Sequence, residues 1–410
     1  MGRAGTIAIV GSGQGGFQLA ASLREAGVEG RVILLGEEGT LPYQRPPLSK
    51  AYLLGKIDAD MVRLRPERFF AEHRVELRTG TRVIGIDRNA RRVVLSACEP
   101  IAYDHLVLAT GARNRELPVP GARLGGVFRV RTLAEAEALR QALRDARAVV
   151  VVGAGFIGLE VAATARALGL DVTVIEAAAR PMARALSAPM AEHVRAAHEA
   201  AGVRFRFGTT LAQILGADGR ARGIETTDGE IVAADCILVG VGVVPNAELA
   251  IDAGLAADDG IVVDAYLRTA DRAISAIGDC ARYPSRFADG PVRLESVQNA
   301  VDQARCVAAR LAGSPAPYAS LPWFWSEQGA LKLQIAGLTQ PHDEAVLRSD
   351  PAVGGLSVFC YRAGRLVGVE SANRPLDHLI ARKLLGRGLS PSPAQAADPA
   401  FDLKRLAAEA

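Results

Sequence analysis

Two stretches of the chain carry the residue types that bind a dinucleotide. Residues 7–27 and residues 149–169 both contain an apolar run, the pattern G-x-G-x-x-G and an alanine-rich amphipathic segment. In this pattern the first glycine permits a tight turn, the second lets a pyrophosphate approach the backbone, and the third lets a helix pack closely on a strand. The N-terminus of that helix offers unpaired N–H groups and a positive dipole end to the phosphates. The two stretches therefore predict two dinucleotide sites.

Each glycine motif is followed by a carboxylate. A second apolar run ends at Glu37 in the first copy and at Glu176 in the second. Both acids fall near the ~20 residues after the motif that are expected of a ribose-binding carboxylate. Glycines that served only to pack a helix on a strand would not require an acid at each second strand. The combination therefore favours two bound dinucleotides.

The duplication continues beyond the glycine motifs. Residues 104–111 and residues 235–242 each form an apolar run that begins at an aspartate and ends in small residues. Each is expected to be a strand that returns the chain to its own nucleotide. Two dinucleotides in one chain imply electron transfer between them.

The composition is that of a globular protein with several domains. The chain has 410 residues, of which 49% are hydrophobic and 23% charged. At ~150 residues per domain this predicts two to three domains, and it excludes global disorder. Apolar stretches are shorter than the ~20 residues of a membrane span, so no membrane association is expected. The net charge is +3.

The arginines are dispersed and form no basic stripe of the kind that nucleic-acid binders show, so no nucleic acid is expected. Two loose clusters exist, one at positions 63, 65 and 68 and the other at positions 88, 91 and 92. They fit either an ordinary solvated surface or a docking surface for an acidic partner. The sequence leaves both interpretations open.

The five cysteines are far apart in the sequence. They form no C-x-x-C and no zinc-ligand spacing, so no metal site is predicted. Their number is odd and no signal peptide precedes them. We therefore expect a cytoplasmic protein in a reducing compartment.

A third motif distinguishes the two halves. Residues 269–279 contain a threonine, a short apolar run and the pair Gly278-Asp279, which resembles the second FAD fingerprint of two-dinucleotide flavoproteins. Together with R-P-P-L-S-K at 45–50, E-S-V-Q-N at 295–299 and P-W-F-W-S at 322–326, it makes nearly the whole chain similar to a known family. The chain resembles the FAD-dependent, NADH-using ferredoxin reductases of the putidaredoxin reductase and rubredoxin reductase kind. These enzymes supply electrons to cytochromes P450 or Rieske-type oxygenases.

The resemblance implies an α/β fold with two Rossmann-like dinucleotide-binding domains of the glutathione reductase type and a C-terminal α+β domain. The FAD domain is expected at residues 1–114 and 245–317, interrupted by an NADH domain at 115–244. The C-terminal domain is expected at 318–410, after a linker at 313–318. Within it, the sequence predicts strands at 331–336, 357–362 and 365–370 and a helix at 376–385.

The resemblance also implies roles for individual residues. FAD is expected to contact Gly11, Gly13, Gln14, Gly16, Glu37, Lys50, Val83, Ala109, Thr110, Gly111, Arg131, Gly278, Asp279 and Val297. NADH is expected to contact Gly153, Gly155, Phe156, Ile157, Gly158, Glu160, Glu176 and Gly242.

Lys50 and Glu160 are the expected catalytic residues. Lys50 would lie beside the isoalloxazine ring, where a cation favours the electron-rich reduced form; an ordinary surface lysine is the alternative. Glu160 would hold the nicotinamide carboxamide and pair with Lys50. A carboxylate near the start of an apolar helix needs such a partner if it is buried.

Two further residues bear on specificity. A carboxylate at Glu176 repels a 2′-phosphate and so predicts NADH over NADPH, although Arg180 nearby could fold over the ribose and permit some use of NADPH. Trp325 is expected at the flavin edge or the partner surface, where amphipathic rings favour interfaces. Core packing of Trp323 and Trp325 is the alternative.

The implied reaction is hydride transfer from NADH to FAD between stacked rings, in which geometry does most of the catalysis. Single electrons would then pass to a small, acidic [2Fe–2S] ferredoxin. Alternatives on the same scaffold are rubredoxin reductase, monodehydroascorbate reductase, a nitrite-reductase-type subunit and NADH oxidase, besides a flavin-bearing interaction protein of the apoptosis-inducing-factor type. Residues 38–55 contain no cysteine, which argues against enzymes with a redox cysteine near the flavin. The identity of the ferredoxin and the choice between monomer and weak dimer stay open.

Overall fold

The computed structural model describes residues 5–349 and 355–408. Two compact units, each assembled from separate stretches of the chain, make up the structure. The first unit contains the residues up to Gln44, Val62–Arg113 and Val244–Ser320. The second contains Arg45–Met61, Asn114–Val243 and the residues from Leu321 onward. Two of the unit boundaries fall within short strands, Ala112–Asn114 and Val243–Pro245.

A parallel five-stranded sheet forms the centre of the first unit. Its strands are, in spatial order, Ile274–Ala276, His105–Leu108, Ile7–Val10, Val32–Leu35 and Val75–Arg78. Short, nearly all-apolar strands are typical of a sheet that is covered on both faces. Helices Gln14–Glu25 and Val297–Leu311 pack against each other. The order of the strands is that of a Rossmann nucleotide-binding fold.

Smaller elements complete the first unit. One antiparallel sheet consists of Val83–Asp87, Arg92–Leu95 and Ile101–Ala102. Another three-stranded sheet consists of Ile261–Val262, Ala281–Pro284 and Pro291–Val292. The short helices are Arg68–Glu72, Glu248–Asp252 and the 3-10 turn Gly278–Cys280.

The second unit repeats the parallel sheet. Its strands are, in spatial order, Val203–Phe207, Asp171–Glu176, Ala148–Val152, Cys236–Val239 and Val127–Phe128. Its helices are Leu133–Asp145, Phe156–Ala167 and Ala188–Ala200, and an antiparallel sheet follows at Leu211–Ala217, Arg220–Thr226 and Ile231–Ala233. Val152 pairs with Ile175 as Val10 pairs with Leu35. The two glycine motifs therefore leave their sheets at equivalent points.

An antiparallel five-stranded sheet completes the second unit. Its strands are, in spatial order, Trp323–Gln328, Leu331–Gly337, Arg365–Ala372, Leu356–Arg362 and Glu344–Arg348. The helices that follow are Pro375–Arg387, Pro393–Ala397 and Leu403–Leu406. The first of these has proline at its start and ends at Gly388 in the left-handed conformation, as the asymmetry of helix termini favours. The three predicted strands and the predicted helix of this region are confirmed.

Residues 45–61 lie with the second unit although the sequence surrounds them with first-unit residues. They begin with the 3-10 turn Pro46–Ser49. The hydroxyl of Tyr52 donates a hydrogen bond of 2.7 Å to Glu137, which lies on helix Leu133–Asp145. This bond, with Arg140 nearby, lowers the pKa of Glu137 to about 2. The hydroxyl of Thr164 donates to the Ser49 carbonyl at 2.9 Å, so the segment is tied to two helices of the second unit.

Across residues 5–349 and 355–408, no helix is both long and apolar enough to cross a bilayer. Within the same ranges, no cluster of histidine, cysteine and acidic side chains is arranged to hold a metal ion.

Candidate dinucleotide and redox site

The three glycines of the first glycine loop are of two kinds. Gly11 has φ of 109° and a Cβ atom there would overlap the carbonyl oxygen of Ala109. A Cβ atom at Gly16 would overlap the carbonyl oxygen of Gly11. A Cβ atom at Gly13, by contrast, would meet no protein atom within 4 Å. The fold therefore needs Gly11 and Gly16, whereas the space at Gly13 is open to a ligand at the start of the helix at Gln14.

The second glycine loop repeats this geometry. A Cβ atom at Gly153 would overlap the carbonyl oxygen of Gly240, and one at Gly158 would overlap that of Gly153. Gly155 again has nothing within 4 Å of its Cβ position. Helix Phe156–Ala167 begins at this open point, and the side chain of Ile157 is 42% exposed there. Both loops thus present a cradle beside a helix N-terminus, which fits the pyrophosphate of a dinucleotide.

The acid of the second nucleotide fold is held by the glycine loop itself. One carboxylate oxygen of Glu176 accepts a 2.7 Å hydrogen bond from the N–H of Ala154, between the first two glycines. The other accepts a 2.8 Å bond from the N–H of Ala178. Both bonds fix the direction of the carboxylate and leave lone pairs for ribose hydroxyls.

The acid of the first nucleotide fold is placed differently. Strand Val32–Leu35 ends two residues before Glu37, so the prediction that this strand ends at Glu37 is wrong. The residue that follows the strand is Gly36, where a Cβ atom would overlap the side chain of Ser12. Because Ser12 fills that space, the acid lies one residue further along than Glu176 does in the second fold. The Glu37 side chain is 70% exposed and lies 3.5 Å from Arg82.

Most of the other residues predicted to contact FAD lie at one edge of the first sheet. Three follow strand His105–Leu108 and two follow Ile274–Ala276, and both strands run parallel to Ile7–Val10, from which Gly11 continues. These five are Ala109, Thr110, Gly111, Gly278 and Asp279. The carboxyl edge of a parallel sheet is where such folds bind ligands.

Hydrogen bonds hold this edge in shape. The hydroxyl of Thr110 donates to the Asn246 carbonyl at 2.6 Å, and the N–H of Gly278 donates to Gln303 Oε1 at 2.7 Å. Val297 is the first residue of its helix, which Ser296 caps. Val83 begins an antiparallel strand two residues after Thr81, whose N–H donates to the Gly36 carbonyl at 2.8 Å. The structure therefore collects these predicted residues of the first unit at or near the carboxyl edge of one sheet.

The second unit contains a buried ion pair. Lys50 Nζ lies 2.7 Å from Glu160 Oε2, with side chains that are 18% and 4% exposed. The same oxygen accepts a hydrogen bond from the hydroxyl of Ser49, and Ser326 Oγ donates to Oε1 at 2.7 Å. A buried carboxylate is tolerated when a cation and good hydrogen bonds compensate its lost hydration. The predicted pairing of Lys50 with Glu160 is present.

The two serines were missed by the sequence interpretation. Both sit in motifs that carry the family resemblance, since Ser49 precedes Lys50 in R-P-P-L-S-K and Ser326 ends P-W-F-W-S. Their position inside these two motifs was the signal from which the two serines could have been found.

Trp325 lies on strand Trp323–Gln328, on the opposite face from Ser326, because successive side chains alternate along a strand. Its ring lies 5.6 Å from that of Trp323, over which the guanidinium of Arg382 stacks. A role for Trp325 at the flavin edge or the partner surface stays a prediction.

The remaining predicted residues lie in the second unit. Arg131 donates its N–H to Glu135 at 2.9 Å, and its carbonyl accepts a hydrogen bond from Arg45. Gly242 is exposed with φ of 96°. Of the residues predicted to contact FAD, Lys50 and Arg131 belong to the second unit.

Hydrogen bonds hold Arg180 in its own loop and not over the ribose, where it could have permitted use of NADPH. Its guanidinium donates to the carbonyl oxygens of Leu186 at 2.8 Å and Ala183 at 3.1 Å. These bonds engage both terminal nitrogens within the loop that follows Glu176. Binding a 2′-phosphate would require the side chain to leave them.

Residues 5–304 match the pyridine nucleotide-disulphide oxidoreductase family, and residues 323–407 match the reductase C-terminal family. The chain belongs to the pyridine nucleotide-disulphide oxidoreductase family. Its fold is the one expected, with two Rossmann domains and a C-terminal α+β domain.

Similar proteins define the subgroup. Rhodocoxin reductase of Rhodococcus erythropolis is 56% identical over 399 residues, which cover 97% of this chain and 93% of that protein. A crystal structure of the ferredoxin reductase for the CYP199A2 system of Rhodopseudomonas palustris matches with a TM-score of 0.96 and 51% identity, covering 98% of this chain and all of that one. The covalent putidaredoxin reductase–putidaredoxin complex matches with a TM-score of 0.95 and 37% identity, covering 98% of each chain. Within its family the chain is therefore an FAD- and NAD(H)-dependent enzyme of the ferredoxin reductase type.

Proposed function

We propose that this protein takes a hydride from NADH onto FAD and passes single electrons to a small, acidic [2Fe–2S] ferredoxin that serves a cytochrome P450 or Rieske-type oxygenase. The buried Lys50–Glu160 pair carries the proposal, because it places a fixed cation and a fixed carboxylate in the unit that holds the second nucleotide loop. Names of the similar proteins support the choice of acceptor. Rhodocoxin reductase and the covalent complex with putidaredoxin both concern reductases with a dedicated electron carrier.

The two glycine loops would divide the nucleotides between them. FAD, bound through the first loop, supplies a centre that accepts two electrons together and releases them singly. NADH binds through the second loop, where the N–H groups beside Gly155 meet its pyrophosphate. Glu176, held by the N–H groups of Ala154 and Ala178, accepts hydrogen bonds from the ribose hydroxyls.

Glu160 would orient the nicotinamide. Its Oε2 already accepts from Lys50 and Ser49, whereas Oε1 accepts from Ser326. A carboxylate has about four acceptor sites, so Oε1 keeps one site for the N–H of the carboxamide. Lys50 holds the carboxylate from the other side and brings a positive charge to the redox centre.

We also propose the three-domain division at residues 1–114 with 245–317, 115–244 and 318–410, and a cytoplasmic location. The repeated parallel sheets and the separate antiparallel sheet support the division. The five widely spaced cysteines fit a reducing compartment. Fractionation of cells that express the full-length gene would test the location.

The substitution Glu160→Gln tests the central role. We expect a protein with full FAD content in which flavin reduction by NADH is slowed about tenfold or more. The reason is that a hydrogen bond to a charged group is worth roughly 1.5–3 kcal/mol. The measurement is anaerobic stopped-flow absorbance of the flavin. Glu327→Gln, an exposed acid one residue from Ser326, is the matched control and is expected to reduce at the wild-type rate. A wild-type rate in Glu160→Gln would remove the proposed role.

A further inference from the structure

A chain of buried hydrogen bonds continues from Glu160 to His198. Ser326 Oγ donates to Glu160 Oε1 at 2.7 Å and accepts from Gln328 Nε2 at 3.2 Å. Gln328 Oε1 lies 2.8 Å from His198 Nε2. The four residues are between 1% and 4% exposed. A polar chain of this length within an apolar unit is costly unless every member is satisfied.

The chemistry of the ends fixes the direction of every bond. A carboxylate only accepts, so the Ser326 hydroxyl donates to Glu160 and its oxygen is left to accept from the Gln328 amide. The Gln328 oxygen then faces His198, which must carry its proton on Nε2. Burial lowers the pKa of His198 and outweighs the hydrogen bond with Gln328, which raises it. The lowered pKa favours a neutral ring. All three donors therefore point toward the negative charge, an arrangement in which successive bonds polarise one another.

The chain joins three elements of the second unit. Ser326 and Gln328 share one face of strand Trp323–Gln328, His198 lies on helix Ala188–Ala200, and Glu160 lies on helix Phe156–Ala167. Lys50 and Ser49 hold the other carboxylate oxygen. The carboxylate of Glu160 is thus held at Oε1 by the hydrogen-bond chain and at Oε2 by the segment that contains Ser49 and Lys50.

We propose that Ser326, Gln328 and His198 are positioning residues for Glu160, which hold its Oε1 in the direction that presents the remaining acceptor site to the nicotinamide carboxamide. This inference rests on the proposed function of Glu160. Without the chain, the carboxylate turns about its last bond toward Lys50 and Oε1 loses its direction. The expected defect lies in binding the nicotinamide end of the nucleotide and leaves FAD in place.

The first test measures NAD⁺ binding by isothermal titration calorimetry, which does not depend on turnover. Ser326→Ala is expected to raise the Kd of NAD⁺ about tenfold, because hydrogen bonds to charged groups are worth roughly 1.5–3 kcal/mol. Gln328→Leu is expected to raise it by a smaller factor, since the serine stays. In turnover, both variants should raise KM for NADH more than they lower kcat. An unchanged Kd in both variants overturns the inference.

Ser357→Ala is the matched control. Ser357 is also a fully buried serine of the same sheet that donates to a carboxylate, that of Asp377, at 2.8 Å. A general loss of packing or of a buried hydrogen bond would affect both serine variants alike. We expect Ser357→Ala to keep the wild-type Kd of NAD⁺, and an equal rise in Kd for both variants contradicts a specific role for Ser326.

A double variant separates this inference from the proposed function. If the chain acts through Glu160, adding Gln328→Leu to Glu160→Gln changes the Kd of NAD⁺ no further, and additive losses overturn it. If Glu160→Gln alone binds NAD⁺ and reacts with NADH as the wild type does, the proposed role of Glu160 fails and the inference fails with it. If Glu160→Gln is impaired while Ser326→Ala and Gln328→Leu are normal, only the inference fails.

A spectroscopic measurement tests the chain first in the wild-type holoenzyme and then in one variant. Nitrogen-15 NMR of protein labelled at histidine reports which ring nitrogen of His198 carries the proton. We expect a protonated Nε2, and Glu160→Gln should shift its signal because the chain then ends on a neutral group. An unprotonated Nε2 in the wild type contradicts the chain as described.

Discussion

Three glutamates of this protein have the same carboxylate side chain but lie in different surroundings. Glu160 is buried and compensated by Lys50 and two serines. Glu176 is half-buried and directed by two backbone N–H groups. Glu37 is exposed beside Arg82. The glycine-motif spacing predicted Glu37 and Glu176, and the family resemblance predicted Glu160. Several of their partners, among them Ser326 and Arg82, come from distant parts of the sequence.

Glu176 should determine the choice of nucleotide. The wild type is expected to prefer NADH, because the carboxylate repels a 2′-phosphate and Arg180 is engaged by the carbonyls of Ala183 and Leu186. Glu176→Gln keeps an acceptor and removes the charge. Charges ~4 Å apart interact by roughly 1–4 kcal/mol between bulk water and the protein surface, so we expect the NADPH/NADH ratio of kcat/KM to rise about tenfold or more.

Steady-state kinetics with both nucleotides check this prediction. Glu37→Gln removes the acid of the other nucleotide fold and should leave the ratio unchanged, which makes it the control. Equal kcat/KM for NADH and NADPH in the wild type would disprove the assignment.

Among the elements, the two strand–loop–helix motifs show what a glycine pattern does and does not determine. In each loop the first and third glycines are required by backbone that lies too close for a Cβ atom. The middle glycine, Gly13 or Gly155, has free space around its Cβ position. The pattern alone cannot separate a structural glycine from one that leaves room for a ligand, whereas the structure does.

Alanine substitutions should separate the two kinds of glycine. Gly155→Ala is expected to fold with normal FAD content and to raise KM for NADH about tenfold or more, because one methyl group displaces a phosphate contact worth about one charge-assisted hydrogen bond. Gly158→Ala is expected to lower the melting temperature sharply, because its Cβ overlaps the Gly153 carbonyl. Gly13→Ala is the reciprocal control, with reduced FAD content. A Gly155→Ala protein with an unchanged KM would show that the nucleotide does not use this space.

Two strands of the C-terminal antiparallel sheet escaped prediction for a physical reason. Trp323–Gln328 buries polar Ser326 and Gln328, whose partners Glu160 and His198 lie far away in sequence. Glu344–Arg348 buries Arg348, which donates to carbonyls of the C-terminal segment, among them Ala396, Pro399 and Phe401. Apolar alternation or a continuous apolar run is the signal for a strand, and in these two shorter strands polar side chains at buried positions leave too few apolar residues to show it. The three strands at Leu331–Gly337, Leu356–Arg362 and Arg365–Ala372 follow the alternation or a continuous apolar run and were predicted.

In the whole molecule, one nucleotide-binding fold is used twice and an antiparallel sheet is added. The duplication was visible in the sequence because the glycine loops and their strands are local patterns. The grouping of Arg45–Met61 with the second unit was not visible, because it depends on contacts of Ser49 and Tyr52 with helices encoded much later. The ion pair of Lys50 with Glu160 is a product of that grouping.

The central claim is that electrons travel from NADH through FAD to a one-electron iron–sulfur carrier. Its most direct test is anaerobic stopped-flow mixing of the FAD-loaded protein with NADH and a small, acidic [2Fe–2S] ferredoxin, recorded across salt concentrations. We predict loss of flavin colour with NADH and reduction of two ferredoxins per NADH, since a hydride carries two electrons and the cluster accepts one. The ferredoxin rate should fall as salt rises, because screening weakens docking between charged surfaces. Failure of NADH to bleach the flavin, or NADH oxidation without reduction of any [2Fe–2S] ferredoxin, would contradict the account.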